Sequence, residues 1–296
     1  MTGPQPRVVV LGSLNMDTVV GLERRPEPGE TVLSASVRRS AGGKGLNQAV
    51  AASRAGAPTT MIGGVGDDRD GAELREALTR YGVDATHVRT LPEQSTGSAF
   101  ITVTEDGENA IVVLPGSNGA LDSDCLAPLR ALPPGSVLLC QLEVPLATVL
   151  AAATIAADQG VRVILNASPV TELPQDLLRL CDPLVVNARE ALRLLGDDER
   201  DVAGSDDLRQ LSSDLLGLGA QSVVVTWGAG GAVWRDHQRY LTAPAPRVAV
   251  ADTTGAGDAF AGTLAADLLA GRSADQALAS ATAAGSEATT WHGAHP

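Results

Sequence analysis

Short apolar runs and amphipathic helical stretches alternate along most of this chain. RVVVLG at residues 7–12 is an apolar run stopped by glycine, the pattern of a strand buried on both faces. TTMIGGVG (59–66), SVLLCQLE (136–143), VRVILN (161–166), DPLVVN (182–187) and SVVVTWG (222–228) also read as strands. Helices are predicted at GLNQAVAASRAG (45–56), DRDGAELREALTRYG (68–82), PLATVLAAATIAADQG (145–160) and AREALRLLG (188–196). The first of these ends on Gly56, a helix-stop signal. GAVWR and QRYLTA read as a hairpin, and two Ala-rich helices close the pattern. Two early regions break this rhythm. DTVVGL (17–22) and ETVLSASVRRS (30–40) alternate apolar and polar residues around the Pro-rich loop ERRPEPGE, as half-exposed antiparallel strands do. GSAFITVT and AIVVLP flank the turn EDGEN and predict a hairpin. The expectation is one α/β domain over 1–296, with a mainly parallel central sheet and helices on both faces. Strands inserted at about 17–40 and 96–114 form a small separate β-sheet.

Composition narrows the function. The chain has 296 residues, 44% of them hydrophobic, enough for one large α/β unit. Its net charge of −13 and the lack of any basic block exclude an extended nucleic-acid partner, whose affinity comes from Lys and Arg neutralising phosphates. No stretch is long and apolar enough to span a bilayer, and the N-terminal apolar run is too short for a signal peptide. Cys125, Cys140 and Cys181 are far apart and odd in number, which predicts reduced thiols in a cytoplasmic protein. Only 2% of residues are aromatic, so a stacking platform for sugars or bases is not expected.

In a parallel α/β sheet, ligands bind where strands end and loops begin. Glycines and carboxylates concentrate there. DTTGAGDAF (252–260) opens a late helix, and Gly255, Ala256 and Gly257 fall where amide groups lack intrahelical acceptors. Small residues and the helix dipole suit an approaching anion. Asp258 beside such a pocket would repel an anion that is merely bound. It makes chemical sense as a base that takes a proton from a nucleophile attacking a phosphoryl group held in the pocket. A plain dipole-complementing Asp reads equally well from the local pattern. Asn15 and Asp17 in GSLNMD suit either paired hydrogen bonds to vicinal hydroxyls or a simple Asx turn. Asn187 and Glu190 in NARE suit either a capping box or a carboxylate and amide organising hydrated Mg²⁺. Lys44, the only lysine, lies in AGGKGLNQA between glycines. This loop is no Walker P-loop, because Arg38 stands where that pattern needs glycine and Gly45 where it needs Ser or Thr. The first strand also lacks the second and third glycines of a dinucleotide fingerprint.

AGGKGLNQA and DTTGAGDAF together resemble the two signatures of the ribokinase family of carbohydrate kinases. GSLNMD, GGVGDD, STG, QLEVP, NARE and TWGAGG follow in family order, so the resemblance covers nearly the whole chain. It implies ATP-dependent phosphorylation of a sugar hydroxyl, and N-x-D with GGKG-x-N-Q-A is most similar to the members that phosphorylate the 5-hydroxyl of D-ribose. By this resemblance Asp258 is the catalytic base and the Gly255–Gly257 amides form the anion hole. Asn15, Asp17, Gly43, Lys44, Asn47 and Glu143 contact the sugar together with Asp258. Asn187, Thr226, Gly228, Gly231 and Gly257 lie along the nucleotide, and Glu190 lies near Mg²⁺. Asp252, Thr254, Ala288, Trp291 and Gly293 match positions that hold an activating K⁺. The small sheet becomes a lid over the sugar, and pairing of lids implies a homodimer.

Three departures from the family pattern leave the proposed catalytic groups untouched, and the third bears on the K⁺ site. Asn166-Ala167-Ser168-Pro169 stands for the usual Asn-Pro-Ala-Pro, and Val185-Val186 for the Thr-Pro before Asn187. The sequence ends at Pro296, before the family's last K⁺ position and final helix. A nucleoside kinase or another sugar kinase of the same family is the alternative within the enzyme class, and a catalytically silent sugar-binding protein the alternative outside it. Ribose is favoured over a nucleoside because no aromatic residue in the sugar-side motifs could stack a base.

Overall fold

Val8, Val9, Val10 and Leu11 are at most 2% exposed, which fits a strand covered on both faces. The computed structural model describes residues 5–104, 106 and 108–295. In chain order its strands are β1 (Val8–Leu11), β2 (Asn15–Leu22), β3 (Ser36–Gly42), β4 (Thr59–Val65), β5 (Asp84–Thr90), β6 (Gly97–Thr104) and β7 (Asn109–Leu114). They continue as β8 (Val137–Cys140), β9 (Arg162–Asn166), β10 (Cys181–Asn187), β11 (Ser222–Thr226), β12 (Ala232–Asp236) and β13 (Tyr240–Ala243). The helices are α1 (Lys44–Arg54), α2 (Arg69–Arg80), α3 (Leu146–Asp158), α4 (Gln175–Leu178), α5 (Ala188–Leu195), α6 (Ser205–Leu216), α7 (Ala256–Leu269) and α8 (Ala274–Ala288).

The main sheet has nine strands in the order β13-β12-β11-β10-β9-β8-β1-β4-β5. Every neighbouring pair from β5 to β11 is parallel, and β12 and β13 return antiparallel at one edge. Alternate residues of β1 serve opposite cores. Val8 and Val10 pack with Leu46 and Val50 of α1, Leu264 of α7 and Leu278 of α8. Val9 and Leu11 pack with Val149 of α3, Leu192 of α5 and Leu211 of α6. Each such side chain contributes about 1.5–3 kcal/mol when fully buried. This is the α/β architecture that the alternating pattern predicts. Among the described residues, no helix is long and apolar enough to cross a membrane.

The rhythm-breaking strands form a separate four-stranded sheet, β3-β2-β6-β7. β2 pairs antiparallel with β3 and parallel with β6, and β6 pairs antiparallel with β7. Two residues of the predicted EDGEN turn, Glu105 and Gly107, lie outside the described residues. The strand predicted from residue 30 begins only at Ser36, the residue that pairs with Gly21. The alternation before it has no facing strand to complete a ladder. β5 was not visible as a strand, because DATHVRT is an edge with only Val88 fully buried.

Candidate active site

The loop after β1 bonds through Ser13 to the start of α1, and α1 in turn bonds to the first turn of α7. α1 starts directly after β3, and its N-cap Gly43 has φ 89°, a left-handed conformation that favours glycine. A Cβ there would stand 2.9 Å from the Asn15 amide nitrogen. Gly42 leaves room for the Asp17 carboxylate, which a Cβ would strike. On α7, Gly262 lets the helix lie against the Gln48 carbonyl of α1. Asp258 sits one turn earlier on α7, so the same close approach brings its carboxylate to α1.

The result is a buried cluster of donors and acids. Asp258 is 7% exposed. Its Oδ2 accepts from Asn47 Nδ2 at 3.0 Å and its Oδ1 from Gln48 Nε2 at 2.9 Å. Glu143 follows β8 and clamps the lysine loop: its Oε2 accepts from the Lys44 amide at 3.1 Å and from the Ser13 hydroxyl. Asn15 Oδ1 accepts from Asn118 Nδ2 at 2.7 Å, which turns the Asn15 amide nitrogen away from Asn118. Asp17 is half-buried, and its Oδ1 is buried without a hydrogen-bond partner, as is Asn47 Oδ1. Such orphaned acceptors suit ligand hydroxyls, which donate to them.

Charge follows from this crowding. Burial, with help from Glu143 and Asp258, pushes the Asp17 carboxyl up to about 7. Burial pulls the Lys44 ammonium down, but the charges of Asp258, Glu143 and Glu190 outweigh it and leave it above its ordinary value. Lys44 is therefore a fixed cation among carboxylates.

At the helix N-terminus, Gly255 has φ 77° and Ala294 packs closely on it. The Ala256 amide donates to the Thr253 carbonyl at 3.3 Å. Among the described residues, no acceptor meets the amides of Gly255 and Gly257. Of the three amides assigned to an anion hole, two are thus free and one is shared.

The remaining predicted residues group in two places. Thr226 at the end of β11 is the register partner of Asn187 at the end of β10. Gly228 (φ 49°) and Gly231 (φ 94°) bracket the turn after Thr226, and a Cβ at Gly231 would strike the Ala243 carbonyl. Asn187 and Glu190 form a complete capping box, at 2.9 Å from the Glu190 amide to Asn187 Oδ1 and 2.8 Å in return. The capping reading of NARE is therefore satisfied, while Glu190 also acts on Lys44. Asp252 accepts from the Thr254 amide (2.9 Å), the Thr254 hydroxyl (2.7 Å) and the Gly293 amide (2.9 Å). Burial opposes these bonds, but they hold the Asp252 carboxyl below its ordinary value. Ala288 is buried at the end of α8, and Trp291 lies under the Arg54 guanidinium, 5.9 Å from the ring centre.

Residues 5–296 match the family described as pfkB family carbohydrate kinase. The chain belongs to the pfkB carbohydrate kinases. Ribokinase of Haemophilus influenzae is 36% identical over 288 residues, covering 97% of this chain and 93% of that protein. The bifunctional ribokinase/ribose-5-phosphate isomerase A of Fructilactobacillus sanfranciscensis is 36% identical over 264 residues, and the chain spans only 48% of its length. Arabidopsis thaliana ribokinase, solved with ribose and ATP, superposes with a TM-score of 0.89 at 32% identity, covering 98% of this chain and 94% of that one. In a pfkB carbohydrate kinase the reaction is phosphoryl transfer to a sugar hydroxyl, and the cluster around Asp258 has the groups such a reaction needs.

Sequence reading did not find Gln48, Gln141, Asn118, Asn166 or Ser13. Gln48 lies inside the quoted AGGKGLNQA motif, and its position beside Asn47 was the available signal. Gln141 lies in QLEVP, Ser13 in GSLNMD and Asn166 at the head of Asn166-Ala167-Ser168-Pro169, so membership of a quoted motif was again the signal; Asn118 alone lies in none of them.

Proposed function

We propose that this protein is an ATP-dependent ribokinase that transfers the γ-phosphoryl group to the 5-hydroxyl of D-ribose. The observation that carries the reading is the meeting of Asp258 with Asn47 of α1, beside the two free amides of Gly255 and Gly257. Asp258 takes the hydroxyl proton, and the amides stabilise charge on the transferring group. Asp17, Asn15, Asn47 and Glu143 hold the sugar hydroxyls, and the unpartnered Asp17 Oδ1 and Asn47 Oδ1 supply acceptors. Asn187, Thr226, Gly228 and Gly231 line the nucleotide. A coupled ADP-release assay across ribose, 2-deoxyribose, fructose, adenosine and pseudouridine tests the assignment. Turnover highest with ribose supports it, and a nucleoside preferred over ribose overturns it.

Mg²⁺ fits the Glu190 end of the site, where the capping box leaves Glu190 Oε1 uncommitted and the ion would reach protein through its waters. It would neutralise phosphate charge when bound. For K⁺, Asp252, whose carboxyl is held below its ordinary value, would supply the anionic ligand, and Thr254, Ala288, Trp291 and Gly293 would be the source of neutral carbonyl ligands. Lys44 acts as a point charge between sugar and phosphoryl group. Lys44→Arg is expected to lower kcat/KM by about tenfold or more, because a planar fork replaces a compact ammonium. Steady-state kinetics that match the parent would remove Lys44 from the mechanism.

The small sheet acts as a lid over the sugar and as the contact of a homodimer. Phe100, Val112, Leu114 and Val37 share the face opposite Asp17 and are 45–62% exposed, an apolar surface that a second copy would cover. Val112→Lys is expected to shift light-scattering mass from dimer to monomer; a dimer of unchanged strength contradicts this contact. The buried free thiols Cys125, Cys140 and Cys181 fit a reducing cytoplasmic setting.

A further inference from the structure

Behind Asp258 runs a chain of buried amides that the reaction described so far does not use. Asn166 Nδ2 donates to the Val185 carbonyl at 3.2 Å. Asn166 Oδ1 accepts from Gln48 Nε2 at 3.0 Å, and the same nitrogen donates to Asp258 Oδ1 at 2.9 Å. Gln48 Oε1 in turn accepts from Gln141 Nε2 at 2.7 Å. Gln48 and Gln141 are fully buried, and Asn166 is 8% exposed.

A backbone carbonyl can only accept, so Val185 fixes which end of the Asn166 amide faces it. That leaves Asn166 Oδ1 toward Gln48, where only a donor is tolerated. Gln48 must then present its nitrogen, and both N–H groups are taken, one by Asn166 and one by Asp258. Its oxygen faces away and requires the Gln141 nitrogen. A flip of Gln48 would set its oxygen against the Asp258 carboxylate and Asn166 Oδ1 and would face two nitrogens at Gln141. The direction of every amide is thus set by the sheet backbone. The chain ties β10, β9, α1 and the end of β8 to a carboxylate on α7, across 210 residues of sequence between Gln48 and Asp258.

We propose that Gln48 is the positioning residue of the proposed base: held by Asn166 and Gln141, its amide fixes the orientation of the Asp258 carboxylate. The inference rests on the assignment of Asp258 as base. One directional bond to each carboxylate oxygen, from Asn47 and from Gln48, sets the plane of the group, and a misaimed base loses rate rather than ground-state binding.

The test is the split between rate and KM, from single-turnover phosphoryl transfer at saturating ribose and ATP and from steady-state kinetics, in the parent, Gln48→Met, Gln141→Met and Asp258→Asn. Gln48→Met keeps the length and removes the donor. Its single-turnover rate should fall roughly tenfold, because the base is no longer held in line with the hydroxyl. KM for ribose and for ATP should stay within about twofold. Gln141→Met leaves Gln48 in place but frees its amide to turn, and should lower the rate by less. An unchanged rate, or a rate loss matched by an equal rise in KM, in folded Gln48→Met overturns the proposal. If Gln48→Met does not fold, an unchanged rate in Gln141→Met does so. An active Asp258→Asn would instead overturn the base assignment itself, and an inactive parent the kinase reading.

Discussion

Asp258→Asn should still bind ribose, within a few-fold of the parent, and should phosphorylate none of it. The substitution keeps the shape of a side chain that is 7% exposed and removes only its capacity to take a proton. General-base removal lowers turnover by about 10²–10⁴-fold. Here the loss should lie at the upper end or beyond, because no other carboxylate bonds to Asn47 and Gln48 in place of Asp258. Burst kinetics and ribose titration by calorimetry separate the two effects. Turnover within tenfold of the parent would return Asp258 to the role of a residue that only complements the dipole of α7.

The second large effect belongs to Asp17. Its carboxyl titrates near 7, so ribose affinity should fall as pH drops through neutrality and the acceptor for sugar hydroxyls is protonated. KM for ribose should rise about tenfold for each pH unit well below 7, following the ionised fraction. Asp17→Ala should raise it by about 100-fold or more at pH 8, since a buried polar contact to a substrate hydroxyl carries large discrimination. Stability runs the other way. The folded-state value lies above the unfolded 3.8, so the folded form binds the extra proton between those values. Asp17 therefore destabilises the fold increasingly as pH rises from about 4 to 7, and fully above that. Asp17→Asn should melt a few degrees higher than the parent at pH 8 and at nearly the same temperature at pH 4. A KM for ribose independent of pH between 6 and 8 would show that the ionised carboxylate does not hold the sugar.

Much of this was legible in the sequence, for identifiable reasons. The apolar runs that became β1, β4 and β8 to β11 are buried on both faces, so their pattern is set by the core alone. The glycine motifs were legible because close backbone approach and positive φ leave few alternatives to glycine at Gly43 and Gly255. β5 was hidden at a sheet edge, where one face meets solvent and the apolar signal thins. NARE could not be divided between capping and catalysis, since one pair of side chains satisfies the helix and still reaches Lys44 through its charge. The residues Asn166, Gln48 and Gln141 each lie in a quoted motif, but their linkage left no trace, because they come from distant positions and amides carry no periodicity. The shared Ala256 amide was equally invisible, as it depends on the turn at Thr253 rather than on residue type.

The central claim is phosphoryl transfer to one oxygen of one sugar. Phosphorus and carbon NMR of the products formed from D-ribose and ATP tests it most directly. The account predicts equal amounts of ADP and of a ribose monophosphate whose phosphorus couples to C5. A phosphate on another oxygen, or ADP accompanied only by free phosphate, would contradict it.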